Sequence, residues 1–132
     1  MATMQEVQFV KCYIRENRQD RLLHELSHPQ KRYRGLSRFC HQARDLLDER
    51  KIVAEGKDLE RQRGFQKFME CINGSVLILS PDEEMDLQEM DLHEALDAAL
   101  KSTEAMILLG RSCAMVFSEA EKGGRDKFLL FL

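Results

Sequence analysis

His24, Glu25 and His28 spell H-E-x-x-H inside the stretch Arg21 to Asp45, which also carries a third histidine, His41, one cysteine, Cys40, and a cluster of cations. On a helix, histidines four residues apart lie one turn apart on one face. Their imidazoles can hold a zinc ion while the intervening carboxylate polarises a metal-bound water. The chemistry would be hydrolysis, with His24 and His28 as ligands and Glu25 as general base.

Zinc metalloproteases of the zincin type carry this wording, and the similarity spans five residues of 132. The surroundings oppose it. Leu22, Leu23 and Leu26 centre on one side of the same helix, and the two histidines project to the other, toward water. Pro29 follows His28 directly, and its ring disfavours helical geometry at the residue before it. A single helix precedes the motif, and no third ligand stands at a recognisable spacing, although Cys40 and His41 are available. The expectation is therefore a solvated histidine pair with no cofactor, able to take nickel or zinc weakly. A zinc-dependent hydrolase is the alternative.

A second set is basic. Lys31, Arg34, Arg38 and His41 project to one side of a helix drawn through this region, where they can meet phosphates or an acidic protein. Tyr33 and Phe39 fall instead toward the apolar side, where core residues go. Nucleic-acid binding through this face is the second alternative. Glu55, Lys57 and Asp48 form only a chance-level acidic and lysine set. Asp82 to Asp91 lacks the glycine and alternation of a calcium loop, so it reads as a solvated acidic connection. No serine or cysteine has a base at a signposted spacing, so no nucleophile is proposed.

The whole chain limits the options further. With 43% apolar and 33% charged residues, 132 residues make one domain with a continuous core. Residues 1–51 carry 11 Lys and Arg against 7 Asp and Glu, a balance of +4, and residues 52–132 have a balance of −7. This asymmetry could orient a charged partner, but +4 is well short of a dedicated nucleic-acid binder. Cys12, Cys40, Cys71 and Cys113 contain no C-x-x-C pair and read as small buried hydrophobes of a reducing compartment. Neither a secretion signal nor a membrane span is evident, so a cytoplasmic location is expected.

The elements that would position these residues follow from periodicity. Met4, Val7, Val10 and Ile14, joined by Tyr13, predict an amphipathic helix over about 4–16. A short helix from about Asp20 stops at Pro29, and a long one is predicted over about 30–49, with Tyr33, Leu36, Cys40, Ala43 and Leu47 as its apolar stripe. Gly35 inside that helix suggests that a neighbour crosses closely. Ile52 to Glu55, Val76 to Leu79, Ala105 to Leu109, Cys113 to Ser118 and Lys127 to Leu132 read as strands. Helices are predicted over the apolar positions Leu59 to Ile72 and from Asp91, as cap, to about Lys101.

Most of these strands are apolar on both sides, so both faces of their sheet must be covered. The expected fold is α/β with mixed α+β character. N-terminal helices over about 4–49 pack on a mixed sheet of four or five strands, with a β-α-β crossover at 76–109 and a C-terminal antiparallel hairpin at 113–132. The helical front 1–51 and the sheet-containing back 52–132 form one domain. Because no catalytic set outweighs its bland explanation, the expected function is a small non-catalytic binding or regulatory protein whose ligand is another protein. Phe128 to Leu132 is apolar enough to suggest a covering partner, hence a homodimer. The binding surface would be Lys31, Arg34, Arg38 and His41.

Overall fold

A computed structural model describes residues 2–72 and 74–132. It is a mixed α+β domain in which six helices cover a six-stranded sheet on both faces. The chain opens with α1 (Met4–Tyr13), α2 (Glu16–Ser27) and α3 (Pro29–Ser37). At the start of α1, the Thr3 hydroxyl accepts from the Glu6 amide, and the Glu6 carboxylate accepts from the Thr3 amide in return. This reciprocal cap satisfies two donors that a helix start leaves orphaned. Pro29 acts as expected: His28 is extended, α2 ends there, and the proline becomes the first residue of α3. The close approach anticipated at Gly35 is also found, since a Cβ there would stand 3.1 Å from Glu25 Cβ and 3.3 Å from Leu22 Cδ1.

The long helix predicted over 30–49 is not formed. After α3 come a 3-10 turn at Arg38–Cys40, the one-turn α4 (Ala43–Leu46) and a second 3-10 turn at Glu49–Lys51. A straight helix would bury Tyr33 on its stripe and leave Phe39 and Leu46 at the stripe's edge. The broken path buries Phe39, Leu46 and Leu47 and leaves Tyr33 60% exposed. Leu47 then bridges to Ile14, and the Asp48 amide donates to the Tyr13 carbonyl, so the segment is drawn onto the end of α1.

The remaining elements are β1 (Ile52–Glu55), α5 (Arg63–Cys71), β2 (Ser75–Leu79), β3 (Glu89–Asp91), α6 (Leu92–Lys101), β4 (Met106–Leu109), β5 (Cys113–Phe117) and β6 (Lys127–Phe131). The sheet order is β1-β6-β5-β4-β2-β3, and every neighbouring pair is antiparallel. This corrects the mixed sheet of four or five strands and its crossover. Residues 89–91, expected to be loop, form a sixth strand that reverses the chain before α6. β3 and β4 therefore flank β2 and run parallel to each other, and α6 carries the chain across β2 rather than away from it. The reversal holds Leu87 at φ 65°, with its amide on the Ile78 carbonyl at 2.7 Å.

The C-terminal hairpin forms as predicted, pairing Cys113 with Phe131 through to Phe117 with Lys127. Alternate residues feed two cores. Leu77, Leu109, Val116 and Leu130 meet α1 to α4, while Ile78, Met106, Met115 and Leu129 meet α5 and α6. β6 lies between β1 and β5, and Phe128, Leu129 and Leu130 are buried within the chain, so the covering partner inferred for this strand is not needed. No helix among the described residues is long and apolar enough to cross a membrane.

Candidate functional site

The H-E-x-x-H residues lie at the end of α2, with His28 just past its last residue, and their side chains separate into two environments. Glu25 is only 4% exposed. Both of its oxygens accept from the Arg38 guanidinium in a fork-to-fork pair. A carboxylate removed from water in this way is stable because its partner donates through two N–H groups at once. Arg38 is brought to it by the 3-10 turn after α3. Gly35 lets α3 lie close enough to α2 for the arginine to reach.

His24 and His28 are both exposed. Their rings stand 4.3 Å apart between centroids and tilted by 45°. His28 Nδ1 is 2.7 Å from the His24 carbonyl, so it is engaged in capping the end of α2. His24 Nε2 lies 3.2 Å from Lys31 Nζ, where an imidazole nitrogen accepts from an ammonium. One histidine nitrogen is thus spent on the backbone, and a cation sits on a nitrogen of the other.

The four residues of the expected binding surface divide. Lys31 and Arg34 remain exposed on α3. Arg38, read as part of the solvated basic face, instead turns inward to Glu25. His41 points to the other end of the segment, with Nε2 2.7 Å from Glu119 and Nδ1 3.2 Å from Glu121. One His41 nitrogen and one oxygen from each glutamate lie within 4.8 Å of one another, with His41 and Glu121 exposed to solvent.

Other charges that the sequence left unassigned have structural work. Arg32 joins Glu6 of α1 to Asp86 at 2.5 Å, while also donating to the Leu26 carbonyl at 3.2 Å. The connection 82–88 is consequently pinned to the helices rather than wholly solvated. Arg125 is buried and donates to the carbonyls of Ala99, Ser102 and Glu104 at the end of α6, and to that of Ser118. Glu55 pairs with Arg44 and Asp48 with Arg50, so these two carboxylates do not converge with Lys57. Burial pushes the Cys40 thiol above its ordinary range, against nucleophilic use.

What stays open on this side is a polar surface. Arg21, His24, His28, Lys31, Tyr33 and Arg34 are exposed on α2 and α3. Beside them is a depression of about 290 Å³ lined by Arg18, Arg21 and Arg38 together with Asp45. No signal of period or motif marks Tyr33 as exposed; only the break after Ser37 turns it outward. A cavity of about 670 Å³ lies elsewhere, beside α1, and shares none of these residues. No family model, curated protein or solved structure matches the chain.

Proposed function

We propose that this is a non-catalytic binding protein that docks an acidic protein partner on the outer face of α2 and α3. The observation that carries the reading is Tyr33, an aromatic residue 60% exposed on the same short helix as Lys31 and Arg34. Tyrosine and arginine are the residue types that most often anchor interfaces, since they combine large contact area with directional polar groups. No carboxylate among the described residues lies within ion-pair distance of Arg18, Arg21, Lys31 or Arg34. These cations are available to an acidic surface, and the local excess of positive charge would steer it.

Hydrolysis is the weaker reading because its general base, Glu25, is already ion-paired and buried. Nucleic acid is weaker because the cations are few and intermixed with Asp45.

The test places a photo-crosslinking amino acid at position 33 in the cells that make the protein. One protein product, resistant to nuclease and lost in Lys31→Glu with Arg34→Glu, is the expected result. A nuclease-sensitive product, or yields no higher than from the exposed control position Leu100, would overturn it.

A further inference from the structure

Outside the face assigned to the partner, three side chains of metal-ligand type come together from two distant parts of the chain. His41 follows the 3-10 turn at Arg38–Cys40, and its Nε2 and Nδ1 stand 2.7 Å from Glu119 and 3.2 Å from Glu121 in the β5–β6 connection. The backbone beneath them is held by hydrogen bonds. The Glu119 amide donates to the Cys40 carbonyl at 3.1 Å, which joins the two segments at the residue before His41. The Ala120 amide donates to the Thr103 carbonyl at 2.9 Å, and Glu121 and Gly124 exchange amide–carbonyl bonds at 3.3 Å and 3.0 Å across a tight turn. Gly124, at φ 111°, permits that turn. All three side chains therefore leave one small patch of pinned backbone, which limits the freedom lost when they close on a common ion.

Charge in this patch favours a cation. Among the described residues no lysine or arginine lies within ion-pair distance of Glu119 or Glu121, so His41 is their shared partner. A neutral imidazole carries one N–H, so it donates to one carboxylate while its other nitrogen turns a lone pair toward the second. A third carboxylate, Glu104, lies 4.0 Å from the sulfur of Cys40. Arg125 donates to the Glu104 carbonyl, but it spends its guanidinium on backbone oxygens. A divalent ion would satisfy the lone pair and both glutamates at once.

We propose that His41, Glu119 and Glu121 bind a zinc ion, with water completing its coordination. An imidazole with two carboxylates suits this ion better than calcium, which takes about six to eight oxygens. Zinc holds such ligands at about 2.1 Å, which sets two of them about 3.4 Å apart at the tetrahedral angle. The three candidate atoms lie within 4.8 Å of one another, and His41 and Glu121 are exposed, so side-chain rotation closes the difference. The ion would tie the turn after α3 to the β5–β6 connection. It uses neither Tyr33 nor Lys31 nor Arg34, so this site and the docking face can fail separately.

The test uses the intact chain without a histidine tag, carrying His24→Ala and His28→Ala so that the pair at the end of α2 contributes nothing. Zinc titrated calorimetrically should bind as a single equivalent with micromolar affinity, and NMR should place the perturbed amides at residues 40–42 and 118–124. His41→Ala, Glu119→Gln and Glu121→Gln, each added to this background, should weaken binding at least about tenfold. Glu83→Gln, which alters an exposed carboxylate elsewhere, should leave it unchanged. Zinc should raise the melting temperature of the parent, and raise it less in each of the three variants. Lack of saturable binding by the parent, or full affinity retained in any one of the three variants, would overturn the assignment. So would perturbations centred on Cys71, an exposed thiol able to take zinc on its own.

Discussion

On the α2–α3 hairpin, the residues with the most suggestive spelling are engaged or solvated: Glu25 is consumed by Arg38, and the imidazoles face water. At the end of α1, Tyr13, which belongs to no motif, is buried with its hydroxyl unmatched among the described residues. The difference lies in where free energy is left unspent. A buried carboxylate paired with its cation is compensated within the fold, whereas a buried donor without an acceptor costs the fold a hydrogen bond. Spelling identifies residue types, but partners decide which of them remain available.

The hairpin half of this comparison is the easier to break. If Glu25 is held as described, Arg38→Ala should cost about 3–5 kcal/mol, because it leaves a buried carboxylate without its cation. Urea unfolding would measure it, and Glu25→Leu combined with Arg38→Met should regain most of the loss. A cost below about 1 kcal/mol would show a well-solvated carboxylate. Glu25 would then be free to act as a base, and the distinction between the two regions would disappear.

Much of the architecture was legible because burial imposes periods that sequence displays. The apolar strands 106–109, 113–117 and 127–131, the cap at Asp91 and the stop at Pro29 all follow from local rules. Both sheet faces are covered, as the lack of alternation required. Strand direction was misjudged because apolarity on both faces favours parallel sheets only statistically, and here Glu89, Met90 and Asp91 form a strand too short and too polar to stand out. The helix over 30–49 failed for a related reason: its stripe was real, but Phe39 and Leu46 gained more burial by breaking it. At the candidate site, the exposure of His24 and His28 could be read from projection. The Glu25–Arg38 pair could not, since it depends on two helices crossing, and Gly35 was the sole sign that they do.

The buried half, Tyr13 and the Cys113 thiol whose charge bears on it, is tested by alkaline pH. Burial, with a smaller contribution from Cys71, pushes the Cys113 thiol up to about 11 from its ordinary 9.0. Burial is also the leading cause for Tyr13, followed by Cys113 and Cys12. For both groups the folded state holds the proton more tightly than the unfolded chain. Their contribution is therefore complete below the unfolded values and is lost as pH rises through the folded ones. Stability should fall between about pH 9 and about pH 11, by on the order of 2–3 kcal/mol for Cys113. Denaturant titrations across that window should show a shallower decline in Cys113→Ala and, separately, in Tyr13→Phe. Arg38→Ala, which alters only the hairpin, should leave the slope unchanged. If all three variants keep the wild-type slope, Tyr13 and Cys113 are no more closed to water than the hairpin.

The smallest effect is expected at the histidines themselves. His24 and His28 are exposed, and their hydrogen bonds are to a backbone carbonyl at a helix end and to a lysine side chain. Replacing both with alanine should change stability by about 0.5 kcal/mol or less, as for surface positions without special structure. Affinity for zinc, measured calorimetrically on His41→Ala protein without a histidine tag, should be weak before the change and absent after it, because two solvated imidazoles lack a third ligand and ordering partners. Tight stoichiometric zinc abolished by either single change would show a metal site at the end of α2, and the exposed histidines would then matter more than their bland surroundings allow.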